Sequence, residues 1–399
     1  CSSWNLQWLG KKCGLHEEGI EGWRRSDWRF CDGRRMVKMN LFDDAVAFSQ
    51  AHEVNWPREP HDALHAWGVH NTDPPPWNCL LGPVHVRGPV SGVVLREGRL
   101  VRSWGEADRA DLTFSVAKTY LGLLAGVAHA RGLLPDPHEP VAKRLPGIGF
   151  DSPHNRRVTW AHLFEQTSEW EGSCFGIPDT VDRYRSVSHD PRPAAGVKGA
   201  ARPLLSPGSF WEYNDVRINQ LSLALLHLFQ RPLPAVFQES ILQPLGANSN
   251  FAWQGYDHAW VDLPASGTAG AQRVASVPGG SHWGGGVSIS ARDQALIGQL
   301  MLQDGHWGKA GQSVSLLPAH WLRRMRQPCS LAPFYGWLTW LNPGGSAFPG
   351  AGAESFLMVG AGGNYVWVDP LQQTVVVVRW LEPASFAGFV ERIQSALAG

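Results

Sequence analysis

A serine and a lysine three residues apart open a predicted helix at Ser115-Val116-Ala117-Lys118. A serine at a helix N-terminus lies beside backbone N–H groups that have no partner within the helix, near the positive end of the helix dipole. Lys118 lies one turn further on the same face, so its amine can reach Ser115 Oγ. If burial favours the neutral amine, Lys118 can accept the serine proton. The pair therefore predicts a nucleophilic serine activated by a lysine.

A tyrosine lies just before the most apolar stretch of the chain, in the segment Trp211-Glu212-Tyr213-Asn214-Asp215. A phenol at such a turn can donate or shuttle a proton. Tyr213 can equally be a packed aromatic, and Asp215 lies where the helix is predicted to begin and would serve as its N-cap. These interpretations are compatible.

Two glycine-rich segments, Trp283-Gly284-Gly285-Gly286 and Gly360-Ala361-Gly362-Gly363-Asn364, precede predicted strands. Glycine allows the backbone to approach a ligand closely, so a strand edge of this kind can offer an N–H group to an oxyanion. A run of glycines taken alone is more often a bulge or a turn.

The predicted helices and strands indicate where these motifs lie in the fold. Residues 93–96 and 100–102 are predicted to form two strands around Glu97-Gly98, and a helix is predicted over residues 115–131. Further helices are predicted at 40–51, 216–229, 291–302 and 384–397, and strands at 336–341, 365–368 and 374–380. Strands at both ends and helices in the middle indicate an antiparallel sheet assembled from distant segments, with a helical insertion.

Composition excludes several classes of protein. Lysine and arginine total 35 residues, as do aspartate and glutamate, so the net charge of zero disfavours a nucleic-acid-binding protein. With 43% hydrophobic and 18% charged residues, the chain is folded rather than disordered. The longest apolar run, residues 120–128, is about half of a bilayer span, so no membrane span is expected.

Residues 1–38 lack an apolar period and are interpreted as an N-terminal extension of uncertain status. A Cys1-Ser2-Ser3 start is compatible with a lipoprotein after signal removal, although an extension without an anchor is favoured. We therefore expect a cytoplasmic protein, with an exported lipoprotein as the alternative. Six cysteines are too few for a disulfide scaffold: Cys1, Cys13, Cys31, Cys79, Cys174 and Cys329.

Together, the motifs resemble the serine β-lactamase and penicillin-binding-protein superfamily. The similarity is to its class C-like branch, which includes family VIII carboxylesterases, D-aminopeptidases and 6-aminohexanoate-dimer hydrolase. It extends from about Pro89 to Trp380 and follows the order and spacing of the family. Four blocks carry it: Ser115 to Lys118, Leu163 to Ser168, Pro207 to Tyr213, and Gly284 to Asp293.

The resemblance implies an α/β (α+β) architecture, the β-lactamase/transpeptidase-like fold, in which an antiparallel sheet flanked by helices is joined to a mainly helical region. Residues 39–131 and 285–399 would form the α/β sandwich domain, and residues 132–284 the mainly helical domain.

The resemblance also implies an acyl-enzyme mechanism without metal or cofactor. Ser115 would be the nucleophile, Lys118 its base, and Tyr213 the proton donor to the leaving group. The oxyanion hole would combine the Ser115 N–H with one from the segment of Gly362, Gly363 and Asn364, with Gly363 favoured.

Two departures from the family pattern bear on the substrate. Asp215 replaces the asparagine of the Y-x-N motif, and a carboxylate near Lys118 favours the charged amine. Gly360-Ala361-Gly362 replaces the K-T-G triad, which removes the usual cation for the carboxylate of a β-lactam. Both β-lactamase and peptidoglycan peptidase activity are therefore disfavoured relative to hydrolysis of neutral esters or amides.

Other conspicuous residues have simpler interpretations. Trp170 and Trp283 are candidates for an apolar substrate pocket, with Trp104 and Trp211, although core packing is favoured for any single one. Glu169 and Glu171 are interpreted as solvated carboxylates on a loop beside Trp170, which could still line the cleft. His61 and His65 have zinc-ligand spacing, but Asp62 replaces the catalytic glutamate and a metal site is disfavoured.

The sequence thus predicts a serine hydrolase that acts on a small ester, or less favourably an amide. Alternatives are a β-lactamase, a D-amino-acid amidase, or a non-hydrolytic sensor on the same fold. The physiological substrate and the oligomeric state remain open.

Overall fold

The structure, a computed structural model, describes residues 28–31, 35–38, 41–60, 67, 73–248, 250–264, 271–280, 283–308 and 312–399. The predicted extension at 1–38 therefore lies outside the described residues except for two strands, and Cys1, His61 and His65 lie outside them as well.

The helices are α1 Asp43–Ala51, α2 Val116–Ala130, α3 Trp160–Phe164, α4 Asp215–Phe229, α5 Leu233–Phe237, α6 Gln243–Leu245, α7 Ala291–Leu302, α8 Ala319–Met325 and α9 Phe386–Ala398. The strands are β1 Trp28–Cys31, β2 Arg35–Lys38, β3 Ser91–Arg96, β4 Arg99–Trp104, β5 Asp111–Leu112, β6 Ser173–Cys174, β7 Ile177–Pro178, β8 Ala252–Gln254, β9 Trp260–Leu263, β10 Gln272–Ala275, β11 Gly286–Ile289, β12 His306–Trp307, β13 Val314–Ser315, β14 Trp340–Leu341, β15 Phe356–Gly360, β16 Asn364–Asp369 and β17 Thr374–Arg379.

A six-stranded antiparallel sheet joins the two ends of the chain, in the order β14-β15-β16-β17-β3-β4. Strand β17 pairs with β3 across nearly three hundred residues of sequence, with Val376 opposite Val94. Strands β3 and β4 are joined at Glu97 and Gly98, which both have positive φ (51° and 73°), as a tight hairpin turn requires. The predicted sheet from distant segments is therefore present.

Side chains that alternate along the strands build a core on each face of the sheet. Val93 and Leu95 of β3 pack with α2 and α7, whereas Val94 packs on the opposite face with α1 and α9. The core around α2 continues into α4 and the middle of the chain. The proposed boundaries at residues 131 and 284 remain a prediction.

Helix α2 is buried around almost its whole circumference, since residues 116–128 are all buried. An α-helix with this distribution belongs in the centre of a protein. This central helix contacts both the sheet and α4, so Lys118, on its first turn, is only 1% exposed. Within the described ranges, no helix is both long and apolar enough to cross a membrane.

Candidate active site

Ser115 occupies the N-cap position of α2 without a capping hydrogen bond from its side chain, and it follows a residue with a strained backbone. Phe114 has φ of 53°, in the left-handed region that a bulky side chain rarely adopts. Its ring packs edge-on against Trp56 and Trp380, at centroid distances of 5.7 and 6.0 Å. Aromatic packing thus stabilises the turn that presents Ser115, and such strain is typical of functional sites.

Lys118 lies between the candidate nucleophile and a carboxylate. Its Nζ is 2.8 Å from Ser115 Oγ and 2.5 Å from Asp215 Oδ1. The spacing along α2 explains the first contact, and the adjacent N-terminus of α4 explains the second. The lysine is thus positioned for proton exchange with Ser115 and forms an ion pair with Asp215.

Asp215 belongs to a chain of alternating charges. Its Oδ2 lies 2.6 Å from Arg185 Nη1, which also contacts Asp182 Oδ2 at 3.1 Å. Asp182 Oδ2 in turn accepts a hydrogen bond from the Asp215 backbone N–H at 2.8 Å. Burial opposes the charge on Arg185, but Asp215 and Asp182 outweigh it and raise the pKa of the guanidinium. The attraction of Asp215 for Lys118 is therefore shared with Arg185.

The expectation that Asp215 caps α4 is wrong. The N-cap is Asn214, whose Oδ1 accepts hydrogen bonds from the backbone N–H groups of Val216 and Arg217 at 3.1 and 3.2 Å. Asp215 is the first helical residue, and its carboxylate points to Lys118 because the neighbouring asparagine already satisfies the free N–H groups.

Tyr213 lies beside both cations of this arrangement. Lys118 Nζ is 4.7 Å from the centre of its ring, and the Arg185 guanidinium carbon is 5.5 Å from it. Aromatic side chains pack around the ring, including Trp340 at 5.7 Å. The phenol is thus held at the cleft by packing, near the cationic side of the site.

A cleft of about 120 Å³ opens at Ser115. One wall is the glycine-rich segment, which forms the turn of the β15–β16 hairpin, with Gly362 and Gly363 at positive φ of 71° and 70°. The lining consists of Ser115, Arg185, Val187, Ser188, His189, Tyr213, Trp340, Val359, Gly360, Ala361, Gly362, Gly363, Tyr365 and Pro383.

Gly360, at the start of the hairpin turn, packs against the two residues that precede Ser115. A Cβ on this residue would lie 2.1 Å from the Thr113 carbonyl oxygen and 3.3 Å from Phe114 Cβ, so only glycine fits there. The favoured oxyanion donor, Gly363, packs instead against Leu381, whose N–H donates to its carbonyl at 3.1 Å. Its role as donor remains a prediction.

The Asn364 side chain has a structural environment, while a contribution of this segment's backbone N–H groups to the oxyanion hole stays a prediction. It is fully buried, its Nδ2 donates to the Ala361 carbonyl at 2.7 Å, and its Oδ1 accepts from Arg379 Nε at 3.1 Å. Arg379 also donates to the Leu112 carbonyl at 2.6 Å. Asn364 therefore fixes the shape of the hairpin turn relative to the strand that leads to the nucleophile.

Two predicted substrate contacts lie in the core instead of the cleft. Trp170 is 1% exposed and donates from its indole to the Gly149 carbonyl at 2.8 Å, and Trp283 is fully buried and donates to the Trp77 carbonyl at 2.9 Å. Each indole buries a large apolar surface and satisfies its N–H internally, which is typical of a core tryptophan.

Glu169 is not the solvated carboxylate that the sequence indicated. It is fully buried and contacts Arg202 and Arg217 at 2.6 and 3.1 Å. Burial alone would raise its pKa, but hydrogen bonds from Arg202 and the charge of Arg217 lower that pKa to about 2. Glu171, by contrast, is exposed as expected.

Sequence reasoning missed three residues at the site: Arg185, His189 and Gly280. Burial lowers the pKa of the His189 imidazole to about 4, so the cleft has a neutral imidazole there at physiological pH. A Cβ on Gly280 would lie 3.2 Å from Lys118 Nζ and 3.5 Å from Ser115 Oγ. The Pro278-Gly279-Gly280 segment was the available signal for this close approach.

In the portion of the chain that the structure describes, no group of three or more histidine, cysteine, aspartate or glutamate side chains is arranged to hold a metal. The His61 and His65 pair lies outside that portion.

Comparisons with known proteins are consistent with this geometry. A family model described as Beta-lactamase matches residues 90–383. A search of curated protein sequences finds no significant match.

Solved structures share the fold. A putative β-lactamase from Bacteroides dorei has a TM-score of 0.53 at 15% identity, covering 78% of this chain and 94% of that one. EstCE1, a hydrolase with promiscuous acyltransferase activity, has a TM-score of 0.53 at 18% identity, covering 78% and 93%. A D-stereospecific amidohydrolase from Streptomyces has a TM-score of 0.50 at 16% identity, covering 82% and 97%. These matches confirm the expected β-lactamase/transpeptidase-like fold, with helices and antiparallel sheets.

Proposed function

Since the chain belongs to the beta-lactamase family, we propose that it is a serine hydrolase that cleaves small uncharged carboxylic esters through an acyl-Ser115 intermediate. The observation that carries the proposal is the 2.8 Å contact between Ser115 Oγ and Lys118 Nζ at the end of the cleft. A nucleophile within hydrogen-bond reach of a proton acceptor is the minimum for covalent acyl transfer.

In the proposed reaction, Lys118 in its neutral form accepts the Ser115 proton as Oγ attacks the ester carbonyl. The negative charge that develops on the carbonyl oxygen is stabilised by the Ser115 N–H and by a backbone N–H of the glycine-rich hairpin. Tyr213 then delivers a proton to the alcohol oxygen as the bond between that oxygen and the acyl carbon breaks. The Lys118 ammonium returns its proton to the Tyr213 phenolate, which restores both groups. Water then attacks the acyl carbon as Lys118 accepts one of its protons. The bond between that carbon and Ser115 Oγ breaks as Lys118 gives this proton to Oγ, which releases the acid and restores Ser115.

Charge pairing supports an uncharged substrate. Arg185 lines the cleft and Lys118 contacts Ser115, but Asp215 contacts these two cations at 2.6 and 2.5 Å. A substrate carboxylate would have to compete with Asp215 for either cation. This balance and the missing K-T-G lysine both favour a neutral ester over a β-lactam.

The test compares steady-state hydrolysis of short-chain p-nitrophenyl esters with hydrolysis of a chromogenic cephalosporin. We expect multiple turnovers on the esters, loss of the activity in Ser115→Ala, and a decrease of orders of magnitude in Lys118→Ala, all with unchanged circular dichroism. Tyr213→Phe should lower kcat strongly if the phenol transfers a proton.

Other outcomes identify the alternatives. Preferential turnover of the cephalosporin would replace the esterase proposal with a β-lactamase. At most one equivalent of product per protein, bound covalently to Ser115, would indicate a sensor that is acylated without turnover.

A further inference from the structure

A second cavity of about 420 Å³ adjoins the cleft. Arg185 and Tyr213 line both spaces, so the cleft and the second cavity are neighbours that share the candidate catalytic tyrosine as a border. Away from this junction, the second cavity is bordered by Tyr184, Phe210 and Trp211. Its size falls within the range of small-molecule sites, whereas the cleft at Ser115 is smaller than that range.

The exposed wall of the second cavity consists of small residues. Ala194 and Ala195 line it from the loop that precedes Tyr213, and both are exposed. Side chains of this size leave the space open to solvent and accessible to a ligand.

The charges around the second cavity are paired with each other. Arg185 contacts Asp215 and Asp182, and Arg192 contacts Asp190 through two nitrogens, at 2.9 and 2.7 Å. The Arg192 guanidinium also stacks over the Trp211 ring at 4.5 Å. An aromatic wall with internally neutralised cations suits an uncharged apolar group.

From this arrangement we infer that the second cavity binds the alcohol part of the substrate, and that this part is an uncharged aryl or bulky apolar group. The inference rests on the proposed function. Tyr213, which delivers a proton to the departing alcohol in that proposal, borders both spaces, so the alcohol lies on the side of the second cavity. The acyl group remains in the smaller cleft at Ser115 and is accordingly short.

Two isomeric esters test the assignment, because they differ only in which side of the ester carries the phenyl group. In 2-phenylethyl acetate the ring belongs to the alcohol, and in ethyl phenylacetate it belongs to the acyl group. We expect kcat/KM for 2-phenylethyl acetate to exceed that for ethyl phenylacetate by about tenfold or more.

A variant that fills the cavity provides the second test. Ala195→Trp should lower kcat/KM for 2-phenylethyl acetate by about tenfold more than it lowers kcat/KM for ethyl acetate. Val197→Trp is the matched control, since Val197 is 77% exposed on the same loop, and it should leave both values unchanged. Thermal unfolding of both variants checks that the fold is retained.

Four results would overturn the inference. Preference for ethyl phenylacetate would place the ring on the acyl side, and an equal effect of Ala195→Trp on both acetates would show that the cavity does not hold the alcohol. Turnover of the small ethyl acetate together with exclusion of 2-phenylethyl acetate would leave the esterase proposal intact and refute only the subsite. Failure of the wild type on every ester would overturn the proposed function and the subsite together.

Discussion

Asp215 and Arg185 act in opposite directions on Lys118, the lysine beside Ser115. To act as a base, Lys118 must release a proton, yet Asp215 at 2.5 Å stabilises the ammonium form. Arg185 weakens this effect, because it contacts the other oxygen of the same carboxylate at 2.6 Å. We therefore expect the carboxylate of Asp215, where the family motif has a neutral asparagine, to affect the pH dependence of the proposed reaction.

Asp215→Asn should shift the acidic limb of the kcat profile to lower pH, because the ammonium form of Lys118 loses its closest anion. We expect the ratio of kcat at pH 6 to kcat at pH 9 to rise several-fold. The measurement is the pH dependence of ester hydrolysis between pH 5 and pH 10, with the buffers held at constant ionic strength.

Asp304→Asn is a suitable control, since Asp304 also pairs with an arginine, Arg323, at 3.2 Å but lies on the surface. It should leave the profile unchanged. If Asp215→Asn lowers kcat equally at every pH, the carboxylate has a structural role and the charge argument is refuted.

The spacing of the motifs predicted that Ser115, Lys118 and Asp215 lie together, but it did not predict the other residues that line the cleft. One helical turn sufficed to bring Lys118 to Ser115, and the Y-x-N position sufficed to bring Asp215 to Lys118. Arg185 and His189 come from a loop without periodicity, so no pattern indicated that they would face the cleft. Trp170 was expected at the substrate pocket but lies in the core. A tryptophan near a motif gives no sign of whether its indole faces the core.

At the scale of the helix, the N-terminus of α4 positions Asp215, because the preceding residue, Asn214, caps the helix. The Asn214 side chain accepts from two backbone N–H groups and donates from Nδ2 to the Asp179 carbonyl at 2.9 Å. The cap thereby holds the start of α4 against the loop that leads to Asp182.

Asn214→Ala should lower the free energy of unfolding by about 1–2 kcal/mol, since it removes the cap and leaves buried N–H groups without an acceptor. Urea unfolding at pH 7 measures the change. Asn214→Ser is the matched control, because serine is also a good N-cap, and it should lose less stability. Equal losses in the two variants would show that the contact with Asp179, rather than the cap, is what matters.

Long helices were predictable from the spacing of their apolar residues, and strands rich in β-branched residues were predictable from that composition. Helix α7 begins and ends at the predicted residues, and β17, with four consecutive valines, was placed within one residue. Strand β15, with the sequence FLMVG, was missed because it has a single β-branched residue and lacks the run of valines that indicates β17. The strand expected at 336–341 is reduced to Trp340–Leu341, the two residues that pair with β15.

At the scale of the whole molecule, two groups make the free energy of unfolding depend on pH, each over its own range: the imidazole of His189 and the carboxylate of Glu169. His189 has a folded pKa of about 4, below its ordinary value of 6.5, so the unfolded chain binds a proton first as the pH falls. Stability from this residue is complete above about pH 6.5 and decreases towards pH 4. For Glu169 the corresponding decrease begins near pH 4.5 and continues towards pH 2.

We therefore expect the free energy of unfolding, measured with urea, to decrease between pH 7 and pH 4, with His189 contributing on the order of 3 kcal/mol over that interval. His189→Gln should flatten this part of the curve, because the amide does not take up a proton. His306→Gln, at an exposed histidine, should retain the wild-type slope. His189 lines the cleft, whereas Glu169 does not, and the His189 ring packs against Phe348 and Tyr365. An unchanged slope in His189→Gln would mean that water reaches the imidazole through the cleft. The site would then be more open than this packing implies.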